Sequence, residues 1–178
     1  NRQGTYQSYQ KYGTITNAGY HTWSSFAFTA KGRTVTNHRT YFIKGLYYHY
    51  NGSTYYSLTN SKGTWLGYIN SKAMTVAKNA GGIWQKENLV RKVSKKNYTI
   101  WQDLTFKKAR SNTNNYYGQQ LKATGKYYHY NGSLYYSLYS GSKWIGYVNA
   151  TATSSPHQIY SVKSSNLYQI INNTSGNF

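Results

Sequence analysis

Twelve residues occur twice in this chain of 178, and no other feature of the sequence restricts the fold so sharply. Residues 47–58 read Tyr-Tyr-His-Tyr-Asn-Gly-Ser-Thr-Tyr-Tyr-Ser-Leu. Residues 127–138 read the same, with Leu134 in place of Thr54. In each copy a Tyr-rich run meets Asn-Gly and a second Tyr-rich run follows. Asn-Gly tolerates the positive φ that both central residues of a type I′ turn need, so each copy predicts a hairpin with a two-residue turn. That turn pairs Tyr50 with Ser53, His49 with Thr54, Tyr48 with Tyr55 and Tyr47 with Tyr56. Opposite residues share a face. One face then carries Tyr47, His49, Thr54, Tyr56 and Leu58 and, with its leucine, is the expected core side; Tyr127, His129, Leu134, Tyr136 and Leu138 repeat it. The other carries Tyr48, Tyr50, Ser53, Tyr55 and Ser57, repeated as Tyr128, Tyr130, Ser133, Tyr135 and Ser137, and is expected to be wet and to touch a ligand. The plainer alternative is that these tyrosines are ordinary cross-strand pairs.

The duplication reaches beyond the hairpin. Ile15, Tyr20, Trp23 and Phe26 return 78 residues later as Val93, Tyr98, Trp101 and Leu104, and Tyr6-Gln7 returns as Trp84-Gln85 at the same offset. Downstream, Trp65-Leu66-Gly67-Tyr68-Ile69-Asn70 matches Trp144-Ile145-Gly146-Tyr147-Val148-Asn149. A third, partial copy keeps the spacing with Val162, Leu167 and Ile170. The expected organisation is therefore a module over 1–79, a second over 80–158, and a partial third repeat or closing strand over 159–178, with 77–83 as linker. Each module reads as all-β. Trp65, Gly67 and Ile69 alternate with Leu66, Tyr68 and Asn70. Only 84–96 is ambiguous between a helical turn and a strand. Several short strands in under 80 residues predict a small barrel, because closure hides sheet edges.

Charge points to the partner. Lys and Arg number 21, against two acids, Glu87 and Asp103, for a net charge of +19. Such a chain seeks a polyanion. Leu, Ile, Val and Phe make only 29 of the 178 residues, a fraction that with this charge would ordinarily mean disorder. Aromatics at 19%, spaced as in strands, argue for a core built from Tyr and Trp instead. There is no cysteine, so disulfides and thiolate metal sites are excluded. No apolar run approaches the ~20 residues that cross a membrane as a helix.

The motifs resemble those of GW modules, the SH3-like wall-binding barrels of Gram-positive surface proteins. The resemblance lies in Lys-Gly-Leu-Tyr-Tyr-His-Tyr-Asn-Gly-Ser followed by Trp-Leu-Gly-Tyr-Ile-Asn-Ser-Lys-Ala, and in Gly-Lys-Tyr-Tyr-His-Tyr-Asn-Gly-Ser followed by Trp-Ile-Gly-Tyr-Val-Asn-Ala-Thr-Ala. The family's Gly-Trp falls on Gly67-Tyr68 and Gly146-Tyr147. The chain is also similar to repeat regions of lactobacillal autolysins and wall-anchored surface-layer proteins. The resemblance implies an all-β chain of two tandem SH3-like barrels. It further implies secretion, and non-covalent anchoring to the cell wall through teichoic or lipoteichoic acid.

Catalysis has little to work with. Glycoside hydrolysis needs two carboxylates about 5–10 Å apart, and the first module has none. No nucleophile-elbow pattern accompanies Asp103. The chain is therefore expected not to be an enzyme, and to need no metal or cofactor. His49 and His129 read as packed, hydrogen-bonded histidines; the functional alternative is a pH-sensitive donor to phosphate. Lys86, Arg91, Lys92, Lys95, Lys96, Lys107, Lys108 and Arg110 fall within 25 residues. Lys31, Arg33 and Arg39 form a smaller cluster, with Lys31 and Arg33 aligning roughly to Lys108 and Arg110. These eleven cations are the expected polyanion site. Tyr48, Tyr50, Tyr55, Tyr68, Tyr128, Tyr130, Tyr135 and Tyr147 are the expected aromatic contacts to sugar or glycerol. Rival readings are peptidoglycan binding, a single-strand nucleic-acid or glycosaminoglycan binder, and a surface-layer segment that self-associates. No signature of the common RNA-binding modules is present.

Overall fold

The computed structural model describes residues 2–156; the partial repeat expected at 159–178 lies outside the described residues. The described chain is all-β, built from two antiparallel sheets, with helix confined to short 3-10 turns. The first sheet contains β1 (Gln7–Ile15), β2 (Thr40–Tyr48), β3 (Thr54–Thr59), β4 (Trp65–Asn70) and β5 (Met74–Ala77), ordered β4-β3-β2-β1-β5. The second contains β6 (Gln85–Val93), β7 (Thr99–Trp101), β8 (Ala109–Asn112), β9 (Gln120–Tyr128), β10 (Leu134–Ser140), β11 (Lys143–Asn149) and β12 (Thr153–Ser154). Its order is β12-β6-β9-β10-β11-β7-β8. From β12 to β11 this is the first sheet again, and β7 and β8 correspond to isolated bridges from Trp23 to Tyr68 and to Lys31. Within the ambiguous stretch 84–96, Gln85–Val93 is a strand.

The expected closed barrels are not seen among the described residues; each ladder runs open from end to end. The edges are protected in another way. β5 and β12 are only four and two residues long, and the flap between the first two long strands covers the edge of β4 or β11. Asn70 and Asn149 end the fourth long strand of each copy. Their Oδ1 atoms accept from the Lys72 and Thr151 N–H groups at 2.9 Å and start a one-turn 3-10 helix.

The core also departs from expectation. It is mainly aliphatic, in two clusters. One is built on Ile15, Ile43, Leu58, Leu66 and Ile69 together with Tyr41 and Tyr56, and the other on Val93, Ile100, Leu138, Ile145 and Val148 together with Tyr136. Each buried Ile or Leu contributes about 1.5–3 kcal/mol. No tryptophan is buried. Most of the large aliphatics among the described residues are buried, with Tyr41, Tyr55, Tyr56, Tyr135 and Tyr136 beside them, and the remaining aromatic rings are left to build surfaces.

The segment 77–83 is held rather than loose. Ile83 N–H donates to Thr14 Oγ1 at 3.1 Å, and Ala80 O accepts from Tyr130 N–H at 2.8 Å.

Candidate functional site

The hairpins decide which side chains face out. Both are one residue longer in the loop than a type I′ turn allows. His49 N–H donates to Ser53 O at 2.9 Å, and Gly52 N–H donates to His49 O at 3.0 Å. Gly52 has φ +89°, whereas Asn51 stays at negative φ. This is a type I turn followed by a left-handed glycine, the three-residue hairpin; His129, Gly132 and Ser133 repeat it. Tyr47 therefore opposes Tyr55, Leu46 opposes Tyr56 and Tyr48 opposes Thr54. The slip transfers the β2 side chains to the other face. Tyr47 joins Tyr55 and Ser57, while Leu46 joins Tyr56 and Leu58 in the core.

The two histidines secure these loops. Nδ1 of His49 accepts from Asn51 N–H at 2.9 Å, and the Asn51 amide donates to the Tyr55 hydroxyl at 3.0 Å. His129, Asn131 and Tyr135 repeat both bonds. In the second copy, His129 Nε2 also meets Leu104 O at 2.8 Å. With Nδ1 accepting, the proton sits on Nε2 and the ring is neutral. Burial lowers the His129 pKa, only partly offset by the Leu104 carbonyl.

A second device aims the Trp-x-Gly-Tyr segment. Gly67 and Gly146 adopt φ +122° and +133°, and β3–β4 and β10–β11 each carry a bulge there. The bulge breaks the expected alternation. Leu66 and Ile69 both enter the core, and Trp65 and Tyr68 both leave it. A Cβ on Gly67 would come within 2.6 Å of Trp23 O, so glycine is also what lets the flap cross. Trp65 Nε1 donates to Ser57 Oγ at 2.9 Å and its ring meets Tyr68 edge-on at 5.1 Å. Trp144, Ser137 and Tyr147 do the same. Tyr47 and Tyr127 then stand perpendicular to Tyr68 and Tyr147, at 5.5 and 5.4 Å. Burial, then the neighbouring Tyr68 or Tyr147, raises the pKa of Tyr47 and Tyr127, so both phenols stay protonated donors.

Beside each aromatic wall lies a cleft. The first, about 490 Å³, is lined by Arg2, Gln3, Ser24, Ser25, Phe26, Ala27, His49 and Tyr68. The second, about 430 Å³, is lined by Lys78, Asn79, Gly82, Ile83, Trp84, Gln102, Asp103, Leu104, Tyr127 and Tyr147. They occupy equivalent places, between the flap, the fourth long strand and the segment before the first. The second adds a tryptophan, Trp84, at 52% exposure. Trp84 packs on Gly125, as Tyr6 packs on Gly45, where any Cβ would collide with the ring. Asp103 brings a carboxylate to the second cleft where the first has Ser25. Hydrogen bonds from the Thr105 hydroxyl hold its pKa below the usual carboxylate range. Glu87 stands elsewhere, paired with Lys126 Nζ at 2.9 Å.

Of the expected aromatic contacts, the structure brings Tyr68 and Tyr147 to the clefts. Tyr55 and Tyr135 are buried at 6% exposure and cannot touch a polymer. Tyr48 and Tyr50 are exposed and line neither cleft. Tyr128 lies beneath Arg39, and Tyr130 sits between the two copies with its hydroxyl on Asn60 O at 2.7 Å. Phe26, Trp84 and Tyr127 were not anticipated; the recurrence of Tyr6 as Trp84 was the available signal.

Three of the four expected arginines part from the other expected cations. The arginines Arg39, Arg91 and Arg110 are engaged within the fold. Arg39 reaches Gly132 O at 3.2 Å, Arg91 binds Thr153 and lies over Tyr136, and Arg110 binds Gln102 and Trp144 O and lies over Trp144. Lys31, Arg33, Lys86, Lys95, Lys96, Lys107 and Lys108 are exposed, and Lys92 is partly so. Lys96 lies over the Tyr117 ring at 4.9 Å. The expected alignment of Lys31 with Lys108 is off by one. Trp23 bridges Lys31 as Trp101 pairs with Ala109, so Lys31 matches Ala109. In an extended flap one residue reverses the side, and the two clusters are not equivalent.

No family model and no curated protein matches the chain. Among solved structures, a candidate autolysin from Listeria monocytogenes is similar over 88% of this chain and 67% of its own, at 17% identity and a TM-score of 0.39. That score falls short of a shared fold, and the likeness carries no functional argument.

Proposed function

We propose that the chain is a non-catalytic binding unit for an anionic polymer of the Gram-positive cell wall, teichoic or lipoteichoic acid, and that it holds a secreted protein at the cell surface. In this reading residues 1–79 and 80–158 are two wall-binding modules of the SH3-like kind that the motifs resemble. The observation that carries the reading is the duplicated cleft, lined by Phe26 and Tyr68 in the first copy and by Trp84, Tyr127 and Tyr147 in the second, on a chain of net charge +19 most of whose described lysines are exposed. Rings stack on glycerol or sugar carbons, protonated phenols donate to oxygens, and lysines meet phosphodiesters. Two weak clefts on one chain raise avidity through effective concentration. In keeping with a binding role, Glu87 is paired with Lys126, and Asp103 is the one carboxylate that lines the second cleft.

The test is co-sedimentation with whole cell walls before and after removal of teichoic acids, repeated across a salt series. Loss of binding on stripping, and a steep fall of affinity with salt, are expected. Binding that survives stripping and ignores salt overturns the reading. One observation favours a second ligand. Asp103 repels phosphodiesters, so the second cleft suits a neutral or amino-bearing group, as in peptidoglycan, better than the first does.

A further inference from the structure

The second cleft carries charges of both signs. Lys78 and Asp103 line it together with Trp84, Tyr127 and Tyr147. The first cleft has Arg2 and no carboxylate among its lining residues. Two segments distant in sequence bring the pair to one cavity. Lys78 stands at the start of the segment between the copies, and Asp103 at the turn of the second flap. The Gly81 backbone packs on that turn, where a Cβ would come within 2.7 Å of Leu104 Cβ. Asn79 fixes the approach: its Oδ1 accepts from Gly81 N–H at 2.8 Å and its carbonyl from Gly82 N–H at 3.2 Å. Lys78 lies outside both cation clusters of the sequence.

Each group can act on a ligand. The Thr105 hydroxyl and N–H both donate to Asp103 Oδ1 and keep the carboxylate ionised. Lys78 is exposed. Tyr127 and Tyr147 meet edge to face at 5.4 Å, and the half-exposed Trp84 ring packs on Gly125. Ring faces attract an ammonium, and a carboxylate in the same cavity adds to that attraction. A plain phosphodiester here gains Lys78 but is repelled by Asp103. A plain amine gains Asp103 and the rings but is repelled by Lys78. Only a unit with both charges turns every group of the cleft to account.

We propose that the second cleft selects a phosphodiester unit that also carries an ammonium group, with the phosphate at Lys78 and the ammonium at Asp103 among the rings of Trp84, Tyr127 and Tyr147. The proposal rests on the reading that a wall polymer occupies the clefts, and it divides their work. The first takes a plain phosphodiester and the second a zwitterionic one, so a polymer that bears amino groups on only some of its units engages both.

NMR titration of the full chain tests this, read at the Trp84 indole N–H, which is assigned by its loss in Trp84→Ala. The probes, at one ionic strength, are glycerophosphoethanolamine, glycerophosphoglycerol, which lacks the ammonium, and ethanolamine, which lacks the phosphate. The first is expected to move the signal at a concentration lower than either of the others by about fivefold, the worth of one ammonium–ring contact at a partly exposed site. Asp103→Asn is expected to abolish the advantage over glycerophosphoglycerol, and Lys78→Gln the advantage over ethanolamine. Equal response to glycerophosphoethanolamine and to either simpler probe overturns the proposal, as does an advantage that survives its matching substitution. Co-sedimentation with cell walls keeps the two failures apart. If walls bind through their teichoic acid while Trp84 ignores the ammonium, the proposal falls and the wall reading stands. If Trp84 selects the zwitterion while walls are not bound, the wall reading falls and the chemistry assigned to the cleft is supported.

Discussion

The two histidine-capped hairpins have nearly the same sequence and the same turn, yet they meet different surroundings. His129 is buried, with Nδ1 on Asn131 N–H and Nε2 on Leu104 O. His49 makes the first of these bonds, and its ring faces a cleft where Phe26 approaches in place of the Leu104 carbonyl. The residue at the flap turn makes the difference. Leu104 is compact and offers its carbonyl, whereas Phe26 stacks on Tyr68 at 4.1 Å and leaves the histidine partly open. The motif thus determines the loop, and its neighbours determine whether the loop is core or binding surface.

The largest predicted effect tests whether the two copies share one scaffold. Gly67→Ala and Gly146→Ala each put a Cβ against the flap at positive φ, within 2.6 Å of Trp23 O in the first and of Ile100 Cγ2 in the second. Backbone strain and collision together predict a loss of about 2–4 kcal/mol in each. Urea unfolding followed by tryptophan fluorescence measures it. A harmless substitution in one copy would break the equivalence of the flaps.

The histidines come next. His129→Ala removes two hydrogen bonds and buried packing and is predicted to cost about 2–3 kcal/mol, against about 1 kcal/mol for His49→Ala. The pH dependence has a definite sign. The folded pKa of His129 lies below its ordinary value of 6.5 because burial disfavours the cation. The unfolded chain then binds more protons in that window, so stability is full above 6.5 and falls as pH drops from there to the folded pKa. His129→Ala is predicted to flatten this slope in denaturation midpoints taken across that range.

How far the sequence could foresee this follows from the same residues. The duplication, the all-β class and the hairpins were legible because they rest on local chemistry repeated at one offset. The register was not, because Asn-Gly serves both a two-residue turn and a three-residue loop. Here the histidine's acceptor on Asn51 N–H goes with the longer one. The outward pairing of Trp65 with Tyr68 was hidden by the bulge at Gly67, which appears in the sequence only as a glycine in an alternating run. The clefts were least legible. They need the flap over 16–39 or 94–119 to fold across a distant strand edge, and no local pattern encodes that crossing.

Smaller effects belong to the clefts and are read in binding rather than stability. Trp84→Ala is predicted to weaken wall binding about tenfold, the loss of one stacked ring, with little change in unfolding because the ring is half-exposed. Gly125→Ala is predicted to weaken binding similarly by displacing the same ring from below. If Trp84→Ala left binding unchanged while Phe26→Ala abolished it, the first cleft would be the working one.

The smallest predicted effect separates the two clefts by charge. Asp103→Asn keeps an oxygen for the Thr105 N–H, now accepted at 2.9 Å, and removes only the negative charge. If phosphodiesters occupy the second cleft, a repulsion disappears. Two unit charges about 4 Å apart in water interact by about 1 kcal/mol, and less in salt, so affinity for isolated teichoic acid is predicted to rise by less than about fivefold. Ser25→Asp in the first cleft is predicted to lower it by a similar factor. The pair matters more than either member, because opposite shifts of like size mean that the two clefts read the same ligand and differ only in tuning. A fall in affinity with Asp103→Asn means instead that the carboxylate makes a contact of its own, and that the second cleft takes an amino- or hydroxyl-bearing group which the first does not.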